Sequence, residues 1–148
     1  MHTTRRIRPL VAIAVVGLVS VGCSSDKAAD KAQSPAKVEA VAGSDVKSVT
    51  LTEDAAKRIA LTTAPVRDGP SGGAPGGKVI PYAAVLYDAK GATWTYTNPQ
   101  ALVFVRQKIT VDRISGEDAI LTDGPGAGVA VVTVGAAELY GAESGIGK

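Results

Sequence analysis

Hydrophobic residues are distributed along this chain in three successive ways. After a basic start carrying Arg5, Arg6 and Arg8, residues 10–22 run without a charge through Leu10, Val11, Ile13, Val15, Val16, Leu18 and Val19. Residues 24–45 then hold no large apolar side chain beyond Val38 and Val41, and such a stretch cannot bury enough surface to offset the entropy of ordering. From Val46 onward, apolar and polar positions alternate in short runs punctuated by glycine, proline and aspartate, the period-two signature of strands.

Within that last region the elements can be placed one by one. Val49 and Leu51 alternate with Ser48 and Thr50, which predicts a strand. Thr52 is a helix N-cap type, with Glu53 and Asp54 behind it and Lys57 and Arg58 further on; acids first and bases last suit the helix dipole over 53–59. A second strand is expected over 61–66. Residues 68–77 hold five glycines and two prolines and predict a linker or long loop. Neither this stretch nor 124–128 leads into a helix bearing Lys-Ser or Lys-Thr, so neither has the frame of a phosphate cradle.

Further strands are predicted over 79–86, opening at a sheet edge because of Pro81, and over 93–96 beyond a turn at 87–91. A longer strand over 102–113 places Phe104, Arg106, Lys108, Thr110 and Asp112 on one face. Val103, Val105, Gln107, Ile109 and Val111 share the other, which is expected to meet the core. Strands over 119–122 and 129–134, a helical turn over 136–140 and a loose tail from Gly141 complete the pattern. The fold class this implies is mainly β, a small antiparallel β-sandwich or barrel with one short helix, spanning 46–143. A signal peptide (1–22) and a flexible tether (23–45) precede it, and a tail (144–148) follows.

Composition changes the reading of the first 23 residues most. The basic start and the thirteen-residue apolar run are the n- and h-regions of an export signal, and the run is shorter than the roughly 20 residues of a spanning helix. It ends in Ser20-Val21-Gly22 before Cys23, the chain's one cysteine. Val21, Gly22 and Cys23 resemble the lipobox of bacterial lipoproteins, with Ser20 where that pattern usually has an aliphatic residue. Cys23 is thus the expected lipidation site, holding the mature chain to the extracytoplasmic face of the cell membrane. Cleavage before it leaves 126 of the 148 residues, with 13 basic against 14 acidic side chains, a balance that points away from nucleic acid.

The chemistry missing from the mature chain narrows function further. Its only His and Met are His2 and Met1, upstream of the cleavage point, so imidazole and thioether ligands for zinc or copper are lacking and no cofactor is expected. Catalytic triads lose their general base with His, and the neighbouring acids Glu53-Asp54 and Glu117-Asp118 sit at a helix start and a turn. A non-enzymatic protein is expected. Trp94, Tyr96, Tyr82, Tyr87 and Phe104 are expected chiefly as core and cross-strand packing. The alternative assigns Trp94, Tyr96 and Tyr87 to a contact surface or ligand pocket.

The strand segments 80–88, 91–96, 105–111 and 131–140, with 49–52 and 59–66 before them, resemble the membrane-proximal β-domain of periplasmic adaptor subunits, the membrane fusion proteins of RND-type efflux pumps. Full adaptors insert a lipoyl-like domain, an α-helical hairpin and a β-barrel where this chain has only residues 68–77, and metal-efflux members bind their ion through methionines that the mature chain lacks. The resemblance therefore implies a membrane-proximal module alone: a lipid-anchored accessory or adaptor-like subunit of an export or efflux system, contacting an inner-membrane transporter. A small-ligand-binding envelope lipoprotein is the alternative.

Overall fold

Thr52 divides the first long strand from the first helix. Its hydroxyl accepts the Ala55 N–H at 3.1 Å, capping an otherwise unpaired donor. The helix that follows, α1 (Glu53–Arg58), carries its acids in the first turn and its bases in the last, as the sequence predicts. The computed structural model describes residues 34–71 and 74–146; the signal, Cys23 and the tether up to residue 33 lie outside the described residues.

Among the described residues eleven strands form two antiparallel sheets, a small β-sandwich-like arrangement of the predicted class. The strands are β1 (Ala36–Ala40), β2 (Lys47–Leu51), β3 (Thr62–Pro65), β4 (Arg67–Ser71), β5 (Ala74–Pro81), β6 (Leu86–Tyr87), β7 (Thr93–Gln100), β8 (Val103–Lys108), β9 (Thr110–Ser115), β10 (Asp118–Asp123) and β11 (Ala130–Val134). The larger sheet runs β1-β2-β8-β7-β11-β3, with β6 also paired to β7, and the smaller runs β4-β5-β10-β9. A single 3-10 turn (Tyr82–Ala84) follows β5, and a helix α2 (Ala136–Ser144) closes the chain's ordered pattern.

The core has two parts, one on each side of the larger sheet. Val49, Leu51, Tyr96, Phe104 and Val132 pack with Ala55 of α1 and with Ala136 and Leu139 of α2. Val66, Ile80, Ala84, Ile109, Ala119, Leu121 and Val131 form the other part, against the smaller sheet. Val131 and Val132 are adjacent in β11 and both fully buried, so this strand is packed on both faces, which is why its sequence is apolar without alternation. Gly135, at φ 93°, turns the chain from β11 into α2; a Cβ there would lie 3.0 Å from Ile59 Cδ1.

Several expectations need correction. The tether reading does not hold for 36–40: Ala36–Ala40 is a strand paired residue by residue with 47–51, and Ala36 and Val38 pack against the first core. The loop expected over 68–77 is largely a hairpin between β4 and β5. Asp68 pairs with Lys78, their side chains 2.7 Å apart, and Gly69 is required because a Cβ would meet Val79 Cγ2 at 2.3 Å. The strand expected over 79–86 ends at Pro81, and residues 82–84 form the 3-10 turn before β6.

The strand expected over 102–113 is two strands in different sheets. The chain crosses at Ile109, whose N–H donates to the Thr93 carbonyl at 3.0 Å and whose carbonyl accepts the Thr93 hydroxyl at 2.7 Å. Its faces do not divide as expected: Phe104 is buried beneath the helices, Ile109 belongs to the second core, Val103 and Val105 are only half-buried, and most of β9 is exposed. Replacing Phe104 by Ala should therefore cost about 3–5 kcal/mol in denaturant unfolding, and Val103→Ala clearly less. Equal losses, or a larger one at Val103, would reverse the face assignment.

Candidate functional site

Strand alternation and helical spacing converge on one polar cluster. Trp94 and Tyr96 share a face of β7, opposite Lys108 and Arg106 of β8 in the antiparallel register. Above that face lies α2, whose Leu139 and Glu143, four residues apart, point inward together and whose Tyr140 flanks them. Glu143 is thereby carried into the protein and is 5 % exposed.

Burial of a carboxylate requires partners, and Glu143 has four contacts. Its Oε1 accepts from Arg106 Nη2 at 3.1 Å and from the Lys47 N–H at 3.3 Å, and its Oε2 accepts from the Tyr96 hydroxyl. Its main-chain carbonyl, in the last turn of α2, accepts from Lys47 Nζ at 3.4 Å. The Arg106 guanidinium lies 4.4 Å from the Trp94 ring centre and 5.2 Å from that of Tyr140, a cation stacked between two aromatic faces. Arg106 Nε and the Thr95 hydroxyl on the strand beside it are buried and have no hydrogen-bond partner among the described residues.

A second ring of contacts fixes Trp94. Its indole N–H donates to Asp88 Oδ2 at 3.0 Å, while Asp88 Oδ1 accepts from the N–H groups of Lys90 and Ala92 at 2.8 and 2.9 Å, organising the turn from β6 to β7. These bonds, the Trp94 indole first, hold the Asp88 carboxyl below the ordinary aspartate range. Burial, then the Glu143 hydrogen bond, pushes the Tyr96 phenol well above its ordinary value. Tyr87 stands outside this cluster, beside Tyr82. Both are exposed, and the Tyr82 side chain holds the Tyr87 phenol above its ordinary value.

Of the residues singled out in the sequence, the fold brings Trp94 and Tyr96 together, leaves Tyr87 on the outside, and Cys23 lies outside the described residues. Arg106, Asp88, Tyr140 and Glu143 escaped the sequence reading. Arg106 alternates with apolar neighbours in a strand and is expected there to be solvated; Glu143 falls in the stretch from Gly141 that the sequence predicts as a loose tail. The available signal was the Leu139–Glu143 spacing, which continues the helical face beyond Gly141. Among the described residues no three His, Cys, Asp or Glu side chains converge. The cluster is closed on itself, so its chemistry is positioning: it clamps α2 to β2, β7 and β8. Searches against protein-family models, curated proteins and solved structures find no match for this chain.

Two outcomes follow from the clamp. Glu143→Ala leaves Arg106 stacked in a largely buried site without its counter-charge and should cost about 3–5 kcal/mol in chemical unfolding, where an exposed ion pair would give under 1. The Tyr96 phenol is raised in the folded state, so the stability it contributes is intact below its unfolded pKa of about 10 and declines as pH rises beyond that. Tyr96→Phe should be less stable at neutral pH, by about 1.5–3 kcal/mol for a bond to a charged group, yet show a flatter loss of melting temperature above pH 10. An alkaline limb identical to that of the parent would discount the Tyr96 contact.

Proposed function

We propose that this chain is a lipid-anchored, non-enzymatic β-module on the extracytoplasmic face of the cell membrane, serving an export or efflux system as an accessory or adaptor-like subunit through protein contacts. The observation that carries the reading is the division of its aromatic residues. Tyr96 and Phe104 are buried and Trp94 is engaged by Arg106 and Asp88, whereas Tyr82 and Tyr87 present 43 % and 54 % of their surface to solvent side by side. Paired exposed tyrosines supply rigid apolar area with a polar tip, the composition favoured in protein interfaces. Beside them lies a cavity of ≈ 450 Å³ lined by Pro81, Tyr82, Ala83, Gly116 and Glu117.

The segments that resemble the adaptor membrane-proximal domain supply this surface, since 80–88 holds both tyrosines. A ligand-binding lipoprotein has less in its favour: a pocket walled by Trp94 and Tyr96 would need the space that Arg106, Tyr140 and Glu143 fill.

Affinity-tagged protein recovered from detergent-solubilised membranes should carry a transporter with it, and the Tyr82→Ser/Tyr87→Ser double variant should carry at least several-fold less while retaining its melting temperature. Cys23→Ser should lose lipid labelling and membrane retention. Recovery of no membrane protein, together with a ligand-dependent change in Trp94 fluorescence, would replace this reading by the ligand-binding one.

A further inference from the structure

Strand β1 ends the larger sheet and, among the described residues, has a neighbour on one side only. Its hydrogen-bonding phase follows from the contacts at its two ends: the Pro35 carbonyl accepts the Thr52 N–H at 3.1 Å, and the Val41 N–H donates to the Val46 carbonyl at 3.4 Å. Odd-numbered residues thus face β2, and Ala36, Val38 and Ala40 turn their N–H and C=O groups to the open edge. The Ala36 carbonyl also accepts the Ser34 hydroxyl at 2.8 Å, which leaves it a second lone pair.

The side chains of this edge are self-complementary. Two antiparallel copies of a strand related by a two-fold axis perpendicular to the sheet keep their faces, so each residue must oppose one of like parity. Centred on Val38, the pairing sets Val38 against itself as a hydrogen-bonded pair and Ala36 against Ala40. It also sets Lys37 of each copy against Glu39 of the other, at the positions where side chains come closest. Within one chain Lys37 and Glu39 already lie 2.9 Å apart on the outer face, so the pairing would build a ring of four alternating charges.

The other terminal strands, β3, β4 and β9, lack this property: in β4 the two charges, Arg67 and Asp68, differ in parity and are never opposed, and Pro70 has no N–H. In β9 a centre at Asp112 or at Arg113 puts like charges directly opposite, and β3 ends on Pro65, which has no N–H to give. On the helix side of β1 lies an apolar groove of ≈ 500 Å³ lined by Ala36 and Val38 and by Ala142, Gly145 and Ile146, the last 74 % exposed. The same axis brings two such grooves side by side. Covering them adds apolar burial to what five residues of backbone pairing provide, and a stable interface needs about 1,200 Å² or more.

We infer that β1 is a homodimerisation edge: two copies of this chain join β1 to β1 about Val38 into one continuous sheet, with Lys37 and Glu39 selecting the register. The test is the mass of the full chain in excess detergent, measured by sedimentation at tens of micromolar and on dilution. The parent should be a dimer that weakens with salt. Lys37→Glu should raise the dissociation constant about tenfold or more at unchanged melting temperature, and the exchange Lys37→Glu/Glu39→Lys should restore it. A monomeric parent, as would result from residues N-terminal to 34 pairing with β1 instead, overturns the inference. A dimer whose dissociation constant Lys37→Glu leaves unchanged overturns it as well.

Discussion

The fold depends on one carboxylate being made tolerable inside the protein. A charge taken out of water costs several kcal/mol unless its neighbours replace what water supplied, and Glu143 is given a guanidinium, a phenol and a main-chain N–H in return. Those donors belong to β8, β7 and β2, three successive parts of the larger sheet, so satisfying a single side chain fixes α2 over all of them at once. The stacked rings of Trp94 and Tyr140 then hold Arg106 in the plane its ion pair requires. The helix has little else to orient it: no side chain caps its N-terminus and no base sits in its last turn. Apolar contact through Ala136 and Leu139 supplies much of its attraction to the sheet, and Glu143 supplies its angle.

How much of this could be read in advance depended on whether the deciding information was local. Thr52 and the charges after it specify α1 within seven residues. Alternation at 47–51 and 93–96, and an unbroken apolar run at 129–134, gave the strands their places, because burial on a pleated sheet is a local pattern. Three features were set by distant partners instead. Ala36–Ala40 has the composition of a linker and becomes a strand because Lys47–Leu51 offers it an edge. Gly69 and Gly77 look like loop residues and are ladder residues, since Val79 leaves no room for a side chain at 69. The single run over 102–113 is divided because Thr93, on another strand, captures both main-chain groups of Ile109.

The polar cluster was the least legible part for the same reason. An arginine in a strand and a glutamate near the chain's end are each ordinary surface residues, and their meaning arises when β8 and α2 meet. The aromatics were legible as a set but not individually. Two of the five are buried, one is pinned by an arginine and an aspartate, and two face solvent, a division set by tertiary packing and not by residue type. Charge placement on the free strands was readable in retrospect by the same parity rule that governs pairing: opposed like charges protect β9, and opposite ones leave β1 receptive.

The position of β11 has a kinetic meaning. This strand lies between β7 and β3, and its two buried valines complete both cores, yet it follows every other strand of the described residues. Partners such as Thr62–Pro65 must wait some 65 residues for it, and loop closure over that span is entropically slow. Until residue 134 is available neither core can close, and until 143 the arginine between the two rings has no counter-ion. Both cores are therefore completed by the same late strand, whatever has paired before it.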